Sequence, residues 1–392
     1  MNHAPRPSTI LVAHPSGELY GSDRVLLEAV AALVRDRFEV VVTLPVGGTL
    51  VHALQSRGAR IEQCPSPVLR KSLFTPRGIL SFLTAAFRGF FRGWAMISRT
   101  APDLLFVNTL TIPLWVILAR FRGVKVICHV HEAESAAPRW QRLALAAPLM
   151  LAHRIIANSA FSSEVLVKAL PSLRRRLHVV YNGVAGPVNP QPARVQMNAP
   201  LAVVYVGRLS PRKGPDLIVE AIGELERRGI PASLDLYGDV FPGYEWYEEE
   251  LRESVSRLHL EDVIRFHGFV DPVWPGIASG DVCVVPSRVD EPFGNTAVEA
   301  VLSCRPVIAS ATSGLIEATG GYLSAQSVEP GNVMKLADAL QRVFTDWPFW
   351  RDAAERDMHV AAERHATDVF GSQIVKHVRD VSERTSARLN VD

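Results

Sequence analysis

Short apolar strands alternate with amphipathic helices along most of this chain, and this alternation restricts its fold more than any other feature. The first half contains the strand-like segments Thr9–Ala13, Glu39–Leu44 and Arg60–Gln63, and a helical pattern over Arg24–Val34 separates the first two. A strand, a helix and a further strand in that order favour a parallel sheet, because the helix returns the chain to the same edge. The pattern therefore predicts an α/β protein.

The length and the proline distribution indicate more than one domain. At 392 residues the chain is long for a single domain. The segment Ala185–Pro200 contains four prolines in sixteen residues, so it is predicted to be a linker. We expect a Rossmann-like domain over 1–184, a linker over 185–200, a second Rossmann-like domain over 201–366 and a C-terminal helix within 367–392 that crosses back to the first domain.

The charge is divided unevenly between the two halves. Residues 1–190 carry 22 Lys and Arg against 10 Asp and Glu, a net +12, whereas the whole chain carries only +2. A basic first half suits an anionic partner, and nucleic acid, an acidic membrane surface or a lipid phosphate would each serve. A chance bias on a solvated surface is the alternative.

One stretch of the first half, Arg70–Arg99, combines aromatic and basic residues at helical spacing. Its aromatic members include Phe82, Phe87, Phe90, Phe91 and Trp94, interleaved with Arg77, Arg88, Arg92 and Arg99. Such a helix is typical of membrane-surface attachment. A core helix whose arginines face water explains the same pattern, and the two interpretations are compatible along its length.

The cysteines and the amino terminus favour a cytoplasmic protein. Cys64, Cys128, Cys283 and Cys304 are scattered without metal-ligand spacing, so they are predicted to be buried thiols of a reducing compartment. Residues 1–6 run directly into the first strand, which does not resemble a signal peptide.

A loop in the second half predicts an anion-binding site. After the apolar strand Val282–Pro286, the segment from Asp290 reaches Gly294-Asn295-Thr296, where a helix is predicted to begin. The exposed backbone N–H groups and the dipole of a helix start favour a phosphate. Glu291 and Glu299 flank this position. Alternatively, Thr296 and Glu299 have the spacing of a capping box that only closes the helix end.

Three further strand ends of the second half carry glycines or basic residues. Gly207 and Arg208 follow the strand Leu201–Val206, and Lys213 lies on the same loop, where Arg208 and Lys213 can hold a diphosphate or simply be solvated. Gly238 ends the second strand, and the turn His267–Val270, which includes Gly268, ends the third. Glycine-bearing ends on one side of a sheet predict a nucleotide pocket.

The first half offers two weaker candidates. Gly17, Gly21 and Ser22 lie in a strand-to-helix turn that lets a ligand approach closely or is only a tight turn. His131 follows the strand Val124–His129, and a histidine at the carboxyl end of a strand is placed to contact a substrate hydroxyl, although a lone histidine is more often structural.

Taken in order, these motifs resemble family 4 of the retaining glycosyltransferases, which have the GT-B fold and include bacterial lipid and cell-surface glycan enzymes. The resemblance rests on Gly207-Arg208-Leu209 with Lys213-Gly214, on Glu291-Pro292-Phe293-Gly294 with Glu299, and on the segment Arg305–Ala309. Arg305 departs from the family, which usually has a small residue there. The resemblance implies two Rossmann-like domains whose parallel sheets face each other across a cleft.

The resemblance also implies a role for each candidate residue. Arg208 and Lys213 would hold the donor diphosphate, aided by backbone amides near Phe293–Thr296, and Glu299 would hold the ribose. Glu291 would position hydroxyls of the transferred sugar, the His267–Val270 turn would meet the base, and His131 would lie near the reacting sugar. Gly17, Gly21 and Ser22 would face the acceptor. The candidate catalytic residues are therefore His131, Arg208, Lys213 and Glu291.

The activity implied is retaining transfer of a sugar from a UDP- or GDP-sugar to a hydroxyl of a glycan or lipid-linked acceptor of the cell envelope. No metal and no cofactor are expected, because two cations and a helix start neutralise the leaving diphosphate. The expected partners are the sugar nucleotide, the acceptor and an anionic membrane surface contacted by the basic half, and not nucleic acid. The expected location is the cytoplasm, with peripheral attachment to the inner face of the membrane. The alternatives are a nucleotide-sugar epimerase of the same fold and a non-catalytic peripheral membrane protein.

Overall fold

The computed structural model describes residues 7–19, 21–69, 76–198 and 200–383. Within the long helix that begins at residue 76, side chains are described from residue 84 onward, so the predictions for Arg70, Arg77 and Phe82 lie outside the described part. The chain forms two compact units. Unit 1 contains the chain up to Gly183 together with the helix that begins at Thr367, and unit 2 contains Val184–Ala366.

Unit 1 has a seven-stranded, all-parallel sheet among its described residues, in the order β3-β2-β1-β4-β5-β6-β7. Its strands are β1 Thr9–Ala13, β2 Glu39–Leu44, β3 Arg60–Gln63, β4 Leu104–Val107, β5 Lys125–Val130, β6 Arg154–Ala157 and β7 Leu177–Val179. Its helices are α1 Gly21–Arg35, α2 Thr49–Gln55, α3 Pro76–Thr100, α4 Pro113–Phe121, α5 Arg139–Ala146 and α6 Ala160–Ala169.

The central strand β1 is fully buried, so its successive side chains enter two separate cores. Ile10 and Val12 pack on the face that is covered by α1 and α2. Leu11 and Ala13 pack on the opposite face, which is covered by α3, α4 and the turn after α5. Buried strands between two helical layers are the arrangement that the apolar runs of the sequence predicted.

Unit 2 repeats the architecture with six parallel strands among its described residues, in the order β10-β9-β8-β11-β12-β13. The strands are β8 Leu201–Val206, β9 Ala232–Tyr237, β10 Ile264–Gly268, β11 Val282–Val285, β12 Val307–Ser310 and β13 Ala325–Val328. The helices are α7 Pro215–Arg227, α8 Glu245–Arg257, α9 Trp274–Ser279, α10 Asn295–Leu302, α11 Ser313–Thr319, α12 Val333–Thr345 and α13 Trp347–Arg364, and α14 Thr367–Glu383 follows as part of unit 1. Two parallel sheets with helices on their faces confirm the predicted α/β class.

The described residues of the proline-rich segment before β8 form no helix or strand, but they pack onto unit 2. Ala193 is buried in the core of that unit, and the indole N–H of Trp347 donates to the carbonyl of Arg194 at 2.8 Å. Arg305 is 3 % exposed and its guanidinium donates to five backbone carbonyls, one of which belongs to Gln191. The residue that departs from the family pattern therefore fastens this segment to unit 2.

The helix α3 shows a core face and an outer face. On the core face, Met96 and Ile97 are buried and the backbone at Gly93 lies close to Leu118 of α4. On the outer face, Phe87 and Phe91 are 68 % and 58 % exposed and pair edge to face. Among the described helices, none combines the length and the apolar composition that crossing a membrane requires.

Candidate active site

Each sheet contains one point where the strand order reverses, and parallel α/β sheets bind ligands at the carboxyl ends of the strands beside such a point. In unit 1 the reversal lies between β1 and β4, and in unit 2 it lies between β8 and β11. The loop after β8 carries Arg208 and Lys213, and the loop after β11 carries Glu291. Lys213 and Glu291 therefore meet at the expected place.

The central contact in unit 2 is an ion pair between Lys213 and Glu291. The Lys213 Nζ lies 2.8 Å from Glu291 Oε1, and the hydroxyl of Ser287 donates to the same oxygen at 2.7 Å. The Glu291 side chain is only 8 % exposed, whereas that of Lys213 is 27 % exposed. The pair thus has a buried acidic end and a partly open basic end.

The electrostatics of this pair favour the ionised carboxylate. Burial by itself would raise the pKa of Glu291, yet the Lys213 charge, its hydrogen bond and the Arg212 charge outweigh burial and hold the pKa below its ordinary value. Glu291 is consequently an anion at neutral pH and acts as a hydrogen-bond acceptor.

The loop that carries Glu291 is held from two sides. Arg212 donates to the carbonyl of Asp290 at 2.9 Å, and the hydroxyl of Ser313 donates to the Asp290 carboxylate at 3.2 Å. A side chain at Gly314 would place its Cβ 2.0 Å from the carbonyl oxygen of Glu291, so only glycine allows α11 to approach this closely. The position of Glu291 is therefore fixed before any ligand binds.

The helix α10 begins at the predicted position but without the capping box. Its N-cap is Gly294, at φ 122°, with no side-chain capping bond, and Thr296 lies inside the first turn. The capping-box interpretation of Thr296 and Glu299 is therefore wrong, because Thr296 is two residues too late to be the N-cap. Asn295 and Thr296 form the first turn, whose N–H groups and dipole favour an anion. Phe293 is buried, and Glu299 follows one turn later, partly exposed.

Glycines bring the ends of β8, β9 and β10 into close backbone contact. The Gly207 N–H donates to the carbonyl of Tyr237, and the Gly238 N–H donates to the carbonyl of Gly268 at 2.8 Å. A Cβ at Gly238, where φ is +146°, would lie 1.8 Å from the Gly207 carbonyl oxygen. Backbone rather than side chains therefore lines this part of the sheet edge.

The remaining donor-site candidates of unit 2 occupy separate positions along this edge. The Arg208 guanidinium stacks 4.2 Å from the ring centroid of Phe241. His267 and Gly268 belong to β10, so the predicted turn begins only after them. The His267 Nε2 pairs with Asp235 at 2.6 Å and its ring stacks on Tyr237. Val270 is 37 % exposed beyond the strand end.

In unit 1, the predicted glycine turn lies after β1. A Cβ at Gly17 would lie 2.9 Å from the carbonyl oxygen of Val46, so Gly17 permits close packing of the two loops. Gly21 and Ser22 are exposed at the start of α1, and the Ser22 hydroxyl lies 3.4 Å from the Asp23 carboxylate.

His131 follows β5 and is buried. Its Nε2 lies 3.0 Å from Asn108 Oδ1, and burial, reinforced by His14, lowers its pKa to about 3 against the opposing charge of Asp23. The adjacent Glu132 accepts hydrogen bonds from the Thr109 hydroxyl and from the His131 N–H, while burial raises its pKa. The Glu132 carboxylate therefore has hydrogen-bond partners within unit 1.

Four polar residues at these sites were not predicted as site residues: His14, Asp23, Asn108 and Ser287. Three of them come directly or almost directly after a buried strand, since His14 follows β1, Asn108 follows β4 and Ser287 lies two residues after β11. The rule that ligands bind at strand ends would have identified these three. Asp23 lies in the first turn of α1 and gives no such signal.

Two parallel sheets with polar groups at both strand-order reversals define a two-domain glycosyltransferase fold of the GT-B type. Residues 20–185 match the model of Glycosyltransferase Family 4, and residues 200–346 match the model of Glycosyl transferases group 1. The chain therefore contains one domain that matches each of these two glycosyltransferase families.

Relatives and solved structures agree with this assignment. The chain is 27 % identical over 315 residues to a 2-deoxystreptamine glucosyltransferase of Streptomyces kanamyceticus. The aligned region covers 73 % of this chain and 79 % of the relative. It is 26 % identical over 262 residues to D-inositol 3-phosphate glycosyltransferase 1 of Catenulispora acidiphila, covering 59 % of this chain but only 60 % of that relative.

The fold is also that of HepE from Anabaena, solved in complex with UDP. This structure matches with a TM-score of 0.79 and 22 % identity over 95 % of this chain and 100 % of the other. A second structure of the same protein contains UDP-glucose.

Proposed function

We propose that this protein is a retaining glycosyltransferase that moves a sugar from a nucleoside-diphosphate sugar to an acceptor hydroxyl. The observation that carries the proposal is the Lys213–Glu291 pair at the strand-order reversal of unit 2, next to the uncapped start of α10. A cation, a buried carboxylate and a helix start together suit a ligand that has an anionic part and a hydroxyl-bearing part.

The donor binds unit 2 with its diphosphate at Lys213 and the start of α10. Arg208, whose guanidinium lies over Phe241, supplies the second charge, and the backbone around Gly207, Gly238 and Gly268 admits the nucleotide without side-chain obstruction. Glu299 holds the ribose, and the segment from His267 to Val270 meets the base. UDP-sugars are the favoured donors, since HepE was solved with UDP and with UDP-glucose.

During transfer, negative charge develops on the departing diphosphate, and preorganised cations and N–H groups stabilise it most effectively. Lys213 stays anchored by Glu291 while its exposed side faces the phosphate. Glu291 remains ionised and accepts hydrogen bonds from sugar hydroxyls, so it positions the sugar without attacking it. The charge on the leaving group is balanced by Arg208, Lys213 and α10, and the reaction therefore proceeds without a metal ion.

The test is a calorimetric panel of UDP-, GDP-, dTDP- and ADP-sugars, followed by product analysis. We expect Lys213→Ala to weaken donor binding strongly, while the control Lys168→Ala, which removes a similar but exposed ion pair of unit 1, leaves it unchanged. Retention is read from the anomeric configuration of the product by NMR, and turnover persists in excess EDTA. Conversion of the donor sugar in the absence of any acceptor would instead indicate an epimerase, and donor binding unaffected by Lys213→Ala would refute the phosphate assignment.

The acceptor is a lipid-linked or cell-envelope glycan, and unit 1 attaches peripherally to an anionic membrane on its cytoplasmic side. Support comes from the outer face of α3, where exposed Phe87 and Phe91 alternate with exposed Arg88 and Arg92. Flotation with phosphatidylglycerol vesicles at low salt tests this. Replacing both phenylalanines by serine should abolish flotation, whereas Phe349→Ser, an exposed aromatic of unit 2, should not; equal flotation of all three proteins would remove the basis for membrane attachment.

A further inference from the structure

A continuous row of buried polar side chains crosses the strand ends of unit 1. The Asp23 Oδ1 lies 2.7 Å from His14 Nε2, the His14 Nδ1 lies 3.2 Å from Asn108 Nδ2, and the Asn108 Oδ1 lies 3.0 Å from His131 Nε2. All four residues are at most 9 % exposed. The last three follow the adjacent strands β1, β4 and β5, at the strand-order reversal.

The order of donors and acceptors in this row assigns every proton. A carboxylate only accepts hydrogen bonds, so His14 donates from Nε2 to Asp23. The amide nitrogen of Asn108, a donor, lies beside His14 Nδ1, which therefore bears a lone pair. That lone pair accepts from the amide of Asn108, whose carbonyl oxygen is then turned toward His131. His131 must therefore carry its proton on Nε2.

The other nitrogen of His131 is left as an acceptor. Because its low pKa keeps the ring neutral, His131 has one proton, and Nδ1 bears a lone pair. This Nδ1 is buried and has no hydrogen-bond partner among the described residues. The ring of His129, 4.0 Å away between centroids, also gives it no hydrogen bond. A buried acceptor without a partner is costly unless a ligand completes it.

We propose that Asp23, His14 and Asn108 are positioning residues that fix His131 in its Nε2-protonated tautomer, so that Nδ1 accepts a hydrogen bond from a hydroxyl of a sugar bound to unit 1. This rests on the proposed glycosyltransferase function for the identity of the ligand. Nδ1 is buried in the free protein, so the imidazole has to shift for a hydroxyl to reach it.

Replacing Asp23 tests the row at its far end. The amide introduced by Asp23→Asn either accepts from His14, as the carboxylate does, or donates to it. If the amide donates, His14 must carry its proton on Nδ1 and donate it to the carbonyl oxygen of Asn108. The NH2 group of Asn108 then faces His131 Nε2, and the His131 proton moves to Nδ1. The variant therefore populates both tautomers of His131, although position 23 does not touch the ligand.

A second substitution should reverse the effect. A carboxylate introduced by Asn108→Asp only accepts hydrogen bonds. It therefore restores the proton on His131 Nε2 even when His14 carries its own proton on Nδ1. The double variant Asp23→Asn with Asn108→Asp should thus regain a single His131 tautomer. A purely structural role for the row predicts no such rescue, because the second change adds another alteration to the same buried cluster.

The measurement is ¹⁵N NMR of histidine-labelled full-length protein, with the His131 signals assigned from His131→Gln. The wild type should show a protonated Nε2, Asp23→Asn a mixture, and the double variant the wild-type pattern. The control Asp36→Asn, which alters an ion pair with Arg379 outside the row, should leave the signals unchanged. The kcat/KM of each variant relative to the wild type should equal the fraction of His131 that keeps its proton on Nε2.

A wild-type protein protonated at Nδ1, or an Asp23→Asn variant that matches Asp36→Asn in its His131 signals, would overturn the proposal. An Nδ1 shift that stays unchanged when the protein is saturated first with a UDP-sugar and then with its acceptor would overturn the ligand contact. The tautomer is measured in the free protein, so a failure of the glycosyltransferase assignment would be seen separately, as the absence of transfer in a wild type with the expected tautomer.

Discussion

Lys213→Ala tests how much the central ion pair contributes to stability, because it leaves Glu291 buried without its cation. Removing one partner of a fully buried pair costs about 3–5 kcal/mol. Here the Lys213 side chain is 27 % exposed and Ser287 still donates to the carboxylate. We therefore expect the free energy of unfolding to fall by about 1–3 kcal/mol at pH 7, the range for a buried acceptor that loses a partner.

The matched control is Lys168→Ala. The Lys168 Nζ lies 2.7 Å from Glu164, nearly the distance of the Lys213 pair, but these side chains are 65 % and 60 % exposed. An exposed pair of this kind contributes about 0.5 kcal/mol or less. Burial, rather than distance, accounts for the difference expected between the two variants.

The cost of Lys213→Ala should depend on pH in a defined direction. In the wild type the folded-state pKa of Glu291 is below that of an unfolded glutamate, about 4.3. The carboxylate thus adds stability above that value and loses it as the pH falls through the folded-state pKa. Without Lys213, burial raises the folded-state pKa, so the loss relative to wild type is largest near pH 7 and shrinks toward about pH 4.

Urea unfolding at pH 7, 5.5 and 4.5 measures these differences. A Lys213→Ala variant no less stable than Lys168→Ala at pH 7, or a stability loss that stays constant over this pH range, would refute the reasoning about the buried carboxylate.

Two further substitutions probe how the site is supported. Gly238→Ala should destabilise the protein by more than about 3 kcal/mol in urea unfolding, because its Cβ would meet the Gly207 carbonyl oxygen at 1.8 Å. Gly243→Ala, where φ is also positive but the space around the Cβ is open, should cost about 1–2 kcal/mol. Arg305→Met should lower the free energy of unfolding in urea by about 2–4 kcal/mol and speed proteolysis within 185–200, because buried carbonyls lose their donor. The control Arg265→Met, at an exposed position, should change stability by less than about 0.5 kcal/mol.

Equal stability of the two glycine variants would mean that backbone strain, and not the approach of the two strand ends, decides the choice of glycine at Gly238. Unchanged proteolysis of Arg305→Met would mean that the hydrogen bond to Gln191 does not hold the segment.

The strands were predictable because local chemistry determines them. The strands β1, β2, β3 and β8 match the segments predicted from the sequence, and β1, β2 and β8 are each a short, mostly apolar run. The helix α4 had no comparable signal. Its sequence Pro113–Phe121 is apolar at every position except Arg120, so it lacks the polar face that marks an amphipathic helix.

The site was only partly predictable, because contacts between loops distant in sequence are decided by the sheet order. The positions of Lys213 and Glu291 followed from strand ends, but their ion pair depends on β8 lying next to β11. Similarly, nothing local to Asp23 indicates its contact with His14. The role of Arg305 was hidden for the same reason. Two of its five acceptors belong to its own loop, and the other three come from two distant segments, at Gln191 and at Ala278 and Gly280.

The last described helix, α14, belongs to unit 1 but is synthesised after the whole of unit 2. Unit 2 is inserted into the sequence of unit 1. The two ends of unit 2 are joined by a hydrogen bond that the Val184 N–H donates to the carbonyl of His365 at 3.0 Å. Phe370, Ile374 and Val378 of α14 fill the core beside α1, and Gly371 lies against Ala32. A ribosome therefore releases all of unit 2 before it delivers the helix that closes the hydrophobic interior of unit 1. The part of the unit 1 core beside α1 therefore stays incomplete until α14 has been made.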